Sequence, residues 1–89
     1  MLLHGYRKGE KMEIKADLLQ DSIGQLCPMP IAHLAMNMRK MENGQILEIR
    51  SDDDGAHADI PSWCRQTNNE FLEEKNEGNY FSYFVKKSS

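Results

Sequence analysis

Cysteine is scarce in this sequence: Cys27 and Cys64 are the only two among 89 residues. Two thiols cannot build a disulfide framework, and with three histidines at loose spacing they argue against a structural zinc site. No run approaches the ~20 apolar residues of a membrane helix, and Met1 to Lys11 lacks the apolar core of a signal peptide. The cytoplasm is therefore the expected compartment, with both cysteines as free thiols. Positive charge is not in excess either. Lys and Arg number 11 against 14 Asp and Glu, a net charge of -3, which excludes a general polyanion binder and leads us to expect no direct nucleic-acid or membrane partner. Internal repeats and low-complexity tracts are absent. What remains is 39% apolar and 28% charged, as in an ordinary globular domain. A chain this short buries only about 60% of its unfolded surface, so chemistry is expected at the surface rather than in an enclosed pocket. Residues 1–12 are expected to form a disordered leader and residues 13–89 a single domain.

Periodicity orders the rest. From Glu13 to Asp21 the apolar Ile14, Ala16 and Leu18 alternate with Lys15 and Asp17, which predicts a half-buried strand. Asp21 to Gln25 reads as a turn. Pro28 suits the first position of a helix and Pro30 its first turn. Ile31, Leu34, Ala35, Met38 and Met41 then form one apolar stripe, and Asn43-Gly44 supplies a left-handed stop. Gln45 to Arg50 alternates as a second strand. The acidic run Asp52-Asp53-Asp54-Gly55 offers N-caps for a second helix from Ala56 to Asn68, with Ile60, Trp63 and Cys64 inward and Pro61 distorting or restarting its first turn. Glu70–Lys75 and Tyr80–Lys86 flank the hairpin signal Asn76-Glu77-Gly78-Asn79. The order β-α-β-α-β-β predicts an α/β two-layer sandwich, a four-stranded mixed sheet with two helices on one face. The other face would look to solvent, with Tyr80, Ser82 and Phe84 outward.

Cys27 is placed at or just before the N-cap of the first helix. There the partial positive charge of the helix terminus favours thiolate over thiol, and the prolines fix an exposed corner. Burial as a small hydrophobe is the alternative fate of a free cysteine; the position beside two prolines argues against it. Cys64, within an apolar stripe beside Trp63, reads as core. His33 lies about 240° around the helix from Cys27, badly placed as its base. His57 and Cys64 share a helical face but lack further ligand spacing, so no metal and no cofactor are expected. Asp52 to Asp54 lacks the alternate spacing of a calcium loop; the run reads as cap and solvated loop, with Asp52 and Asp53 as candidate docking charges. Met38 and Met41 read as core. Met29 and Met36 are expected to be exposed beside Cys27, where adaptable side chains suit a partner.

The stretch Asp21-Ser22-Ile23-Gly24-Gln25-Leu26-Cys27-Pro28-Met29-Pro30 resembles the D-x-x-G-x-x-C-P-x-P signature of the TusA/SirA-like sulfur-carrier proteins. Asp52-Asp53 and Asp59-Ile60-Pro61-Ser62-Trp63-Cys64 are similar to the acidic loop and the D-I-P-x-aromatic-C segment of that family. The resemblance spans about Glu13 to Lys87. It implies the same β-α-β-α-β-β fold, and a persulfide carried on Cys27, with Pro28 and Pro30 shaping its turn and Asp21 and Gly24 positioning the preceding loop. A cysteine desulfurase or a rhodanese-like protein would be the sulfur donor, and a downstream protein of tRNA thiolation, molybdenum-cofactor synthesis or other sulfur metabolism the acceptor. One departure stands out. Many members carry Lys or Arg eight or nine residues past the cysteine, where this chain has Ala35 and Met36; its basic residues come later, as Arg39 and Lys40. A non-catalytic interaction or regulatory module, and a thiol redox protein using Cys27 and Cys64, are the competing readings.

Overall fold

The structure, a computed structural model, describes residues 14–88; the expected leader over residues 1–12 lies outside them. The elements are β1 (Leu18–Asp21), α1 (Met29–Lys40), β2 (Ile46–Ser51), α2 (Ala56–Thr67), β3 (Glu70–Asn76) and β4 (Phe81–Lys86). The expected order holds. The sheet runs β1-β2-β4-β3, with β1 parallel to β2 and β4 antiparallel to both β2 and β3. The last strand thus inserts between β2 and β3, and the sheet is mixed.

Register decides which face is buried. Leu47 pairs with Val85 and Ile49 with Tyr83, and all four are fully buried against Leu34, Met38 and Met41 from α1 and its end and Ala56, Ile60 and Cys64 from α2. Both helices therefore cover the same face. Each fully buried side chain of this kind contributes roughly 1.5–3 kcal/mol.

Several local expectations change. The first strand begins at Leu18 rather than Glu13, and the residue it buries is Gln20, not Leu18. β1 is an edge strand paired only with β2, so its apolar side chains find little to pack against. The open face is also not simply solvated. Ser82 and Phe84 point away from the helices yet are buried, and on that face Glu48 accepts hydrogen bonds from Ser82 Oγ (2.8 Å) and Arg50 Nε (3.0 Å). Arg50 in turn lies 5.7 Å over the Tyr80 ring.

The caps of both helices differ from expectation, although α2 starts at Ala56 as expected. Pro28 is the N-cap of α1 and Met29 its first residue, because the amide of Met29 closes a turn onto the Leu26 carbonyl at 2.9 Å. The helix ends at Lys40, before Asn43-Gly44; Gly44 instead has φ +93° in the turn that follows. The carbonyls of Met38 and Met41 are claimed by Lys87 Nζ at 2.7 Å each. Gly55, without a side-chain cap, is the N-cap of α2, and the acidic run supports that helix through the carbonyls of Asp53 and Asp54. Pro61 does not restart the helix, which runs through it uninterrupted. Ile60 and Cys64 on either side are anchored in the core, and their burial outweighs a local cost of about 3 kcal/mol.

Candidate functional site around Cys27

The connection 22–28 that carries Cys27 is tied down at each step. Asp21 Oδ1 accepts the amide of Ile23 at 3.1 Å, a turn of the side chain onto its own backbone. The Ser22 amide reaches the Arg50 carbonyl at 2.8 Å, and that of Gln25 the Ser22 carbonyl at 3.1 Å. Gly24 has φ +87°, a conformation that disfavours any side chain. Its amide donates to Asp52 Oδ1 at 2.9 Å, so the loop after β2 holds the loop before α1. Asp52 is a brace here, with one oxygen already engaged.

A second brace lies beneath. Gln20, only 5% exposed, donates through Nε2 to Ser22 Oγ and to the Pro30 carbonyl, both at 2.9 Å. Its Oε1 accepts from Asn37 Nδ2 at 2.9 Å. An amide buried with every partner in place fixes register where a lone polar group would cost about 1–3 kcal/mol. It sews β1 to the first and third turns of α1.

Cys27 itself is exposed at the top of this assembly, after which the Cys27–Pro28 peptide bond is cis. Its thiol donates to Asp59 Oδ2 of α2 at 3.4 Å. That contact overturns the expectation of a depressed pKa. The Asp59 hydrogen bond first, then partial desolvation and the charges of Asp59 and Asp53, push the Cys27 thiol above its ordinary value. The helix terminus cannot compensate. Pro28 and Pro30 carry no N–H, and the Met29 amide already serves Leu26, so few free donors remain to stabilise a thiolate.

Beside the sulfur opens a groove of about 280 Å³, lined by Cys27, Pro28, Ile31, Asp59, Trp63 and Gln66 among others. Three large apolar side chains of this region are exposed: Leu26 at 72%, Met29 at 45% and Met36 at 52%. Met29 and Met36 lie seven residues apart, on one stripe of α1. Asp53 is half-buried beside Cys27 and Asp59. Trp63 packs its half-buried ring against the core while lining the groove.

Sequence reasoning missed Asp59, Gln20, Asn37 and the exposed Leu26. Asp59 stood within the matched D-I-P segment, and that was the signal available. Gln20 gave none, since a polar residue in an alternating strand reads as outward.

Cys64 lies in the core, 2% exposed, and burial pushes its thiol to about 11. Of the pair weighed as metal ligands, His57 instead meets Glu74 at 3.0 Å and Tyr83 Oη at 3.3 Å. Among the described residues no three His, Cys, Asp or Glu are grouped to hold a metal. No helix among them is long and apolar enough to cross a membrane.

Residues 21–87 match the family model described as Sulfurtransferase TusA. The chain belongs to the TusA family. It is 35% identical over 74 residues to YrkI of Bacillus subtilis, named as a candidate sulfur carrier, covering 83% of this chain and 99% of that one. It is 37% identical over 68 residues to the sulfur carrier protein TusA of Allochromatium vinosum, with 76% and 90% covered. A relative from Aquifex aeolicus is 42% identical over 77 residues, but this chain spans only 39% of its length. The TusA-family fold is also that of a SirA-like protein from Desulfitobacterium hafniense, whose crystal structure superposes with a TM-score of 0.67 at 16% identity, covering 81% of this chain and 99% of that one.

Proposed function

We propose that this protein is a sulfur carrier that takes a sulfane sulfur onto Cys27 as a persulfide and hands it to an acceptor protein. The observation that carries the reading is the exposed Cys27 thiol, presented by a braced loop at the mouth of a groove, in a chain of the TusA family. The step is an exchange. Cys27 sulfur attacks the terminal sulfur of a donor persulfide; the donor's S–S bond breaks and its inner sulfur leaves with the electron pair as a thiolate. The proton lost by Cys27 goes to that thiolate, so Cys27–SH and donor–S–SH become Cys27–S–SH and donor–SH with no oxidant consumed. Asp21 and Gly24, with Pro28 and Pro30, hold the sulfur in place; Met29, Met36 and Leu26 give a partner an apolar landing surface around it.

A cysteine desulfurase or a rhodanese-like protein would supply the sulfur. Acceptors of tRNA thiolation, molybdenum-cofactor synthesis or another sulfur pathway would receive it. Redox pairing of Cys27 with Cys64 has little support, since one thiol is exposed and the other lies in the core. Incubation with a cysteine desulfurase and cysteine, without reductant, should add one sulfur, about 32 Da, to the intact mass. Cys27→Ala should abolish the gain and Cys64→Ala should keep it. No gain from either donor class would sink the reading.

A further inference from the structure

One contact at the site is unexpected for a sulfur nucleophile. The nearest charged group to Cys27 is an anion, Asp59 Oδ2 at 3.4 Å, and it accepts the thiol hydrogen. The geometry that brings it there is built in. Asp59 lies in the first turns of α2, its amide bonded to the Gly55 carbonyl at 2.9 Å. Carboxylate oxygens of both Asp53 and Asp59 would stand 3.4 Å from a Cβ placed on Gly55, so the two acidic side chains converge at the start of α2, and both line the space beside the sulfur. Asp59 is the group from α2 that acts on Cys27, and Asp53 the one from the loop before it. The first turn of α1 has no acidic residue, and its basic residues, Arg39 and Lys40, lie in the last turn.

Resting on the carrier reading, we propose that Asp59 is a positioning residue of the sulfur transfer: by accepting the hydrogen of the empty Cys27 thiol it keeps that sulfur protonated and oriented into the groove, and thereby sets the pH range in which the carrier can be loaded. A neutral thiol is a poor nucleophile toward stray electrophiles and oxidants. The empty carrier is thus guarded. A donor that presents a cationic side chain to Asp59 as it docks would release the hydrogen from that carboxylate and raise the thiolate fraction. Attack on the donor's terminal sulfur then proceeds as above, with the thiol proton passing to the donor's leaving thiolate.

The first arm of the test needs no sulfur donor. The rate of iodoacetamide alkylation of reduced, empty Cys27 is followed by intact mass from neutral to alkaline pH, in the wild type, Asp59→Asn and Asp53→Asn, each also with Cys64→Ala. In Asp59→Asn the midpoint should fall and alkylation at neutral pH should become several-fold faster. Asp53→Asn should move it the same way by less. Asp59→Ser, smaller and equally neutral, carries the same expectation where asparagine perturbs the fold, which circular dichroism monitors. An unchanged or raised midpoint in a folded Asp59 variant would overturn the proposal. The second arm measures loading of each variant from glutathione persulfide at neutral pH, where Asp59→Asn should gain sulfur faster than the wild type; equal or slower loading also overturns it. Wild-type protein that never takes up sulfur, while the alkylation midpoint still falls in Asp59→Asn, instead defeats the carrier reading and leaves the hold of Asp59 on the thiol standing.

Discussion

Cys27 and Cys64 have the same side chain, and their surroundings separate them. Cys27 stands in solvent with a carboxylate as its neighbour, whereas Cys64 is enclosed by Ile60, Leu34 and other core residues. Reactivity should divide accordingly. In native protein a small alkylating agent should modify one thiol, Cys27, with Cys64 reacting only after denaturant is added; peptide mapping checks the order. The placement of Cys27 at the head of α1 was legible from the flanking prolines. Its protonation was not, because the deciding carboxylate belongs to α2, 32 residues downstream.

At the scale of elements, the ends of α1 show what local pattern leaves out. Its C-terminus carries Arg39 and Lys40 in the last turn, as dipole arguments favour. Yet the residue that satisfies its last carbonyls is Lys87, after β4, reaching Met38 and Met41 at 2.7 Å each. Hydrogen bonds from a charged donor to partly buried carbonyls are worth about 1.5–3 kcal/mol. Lys87→Met, which keeps the aliphatic stem, should lower the unfolding free energy by about that amount in a urea titration while leaving Cys27 alkylation unchanged. At the other end, the apolar period gave α1 its buried stripe of Leu34, Met38 and Met41 correctly. The same periodicity could not see Gln20, whose partners Ser22, Pro30 and Asn37 come together only when β1 packs beside α1.

For the whole molecule, the core between sheet and helices holds a buried phenol, Tyr83 of β4, and a buried thiol, Cys64 of α2. Burial, with Glu74, Asp53 and Asp54 adding to it, pushes Tyr83 to about 12, and Cys64 stands at about 11. Both values lie above those of the exposed groups, 10.0 and 9.0. The folded state therefore prefers the neutral forms, and the stability this gives is complete below pH 9.0. It should be lost as pH rises, through about 11 for Cys64 and about 12 for Tyr83. Thermal melting followed from neutral to strongly alkaline pH should show the decline, and Cys64→Ala should remove its earlier part. The strand order β1-β2-β4-β3 belongs to this scale too. Alternation identified the first two strands and the hairpin signal the last two, but neither says that the last would insert in the middle.

By itself the sequence determined the elements, the buried stripe of each helix and the position of the one accessible thiol. Apolar periodicity, proline and glycine are local signals, and they act over one or two turns of chain. Only the tertiary structure decided which groups surround that thiol: Asp59 against its sulfur, Asp52 on the amide of Gly24, Gln20 beneath Pro30. The physical reason is range. Hydrogen bonds and charges act over a few ångströms in space, and the residues that meet around Cys27 come from segments up to 32 positions away in the chain.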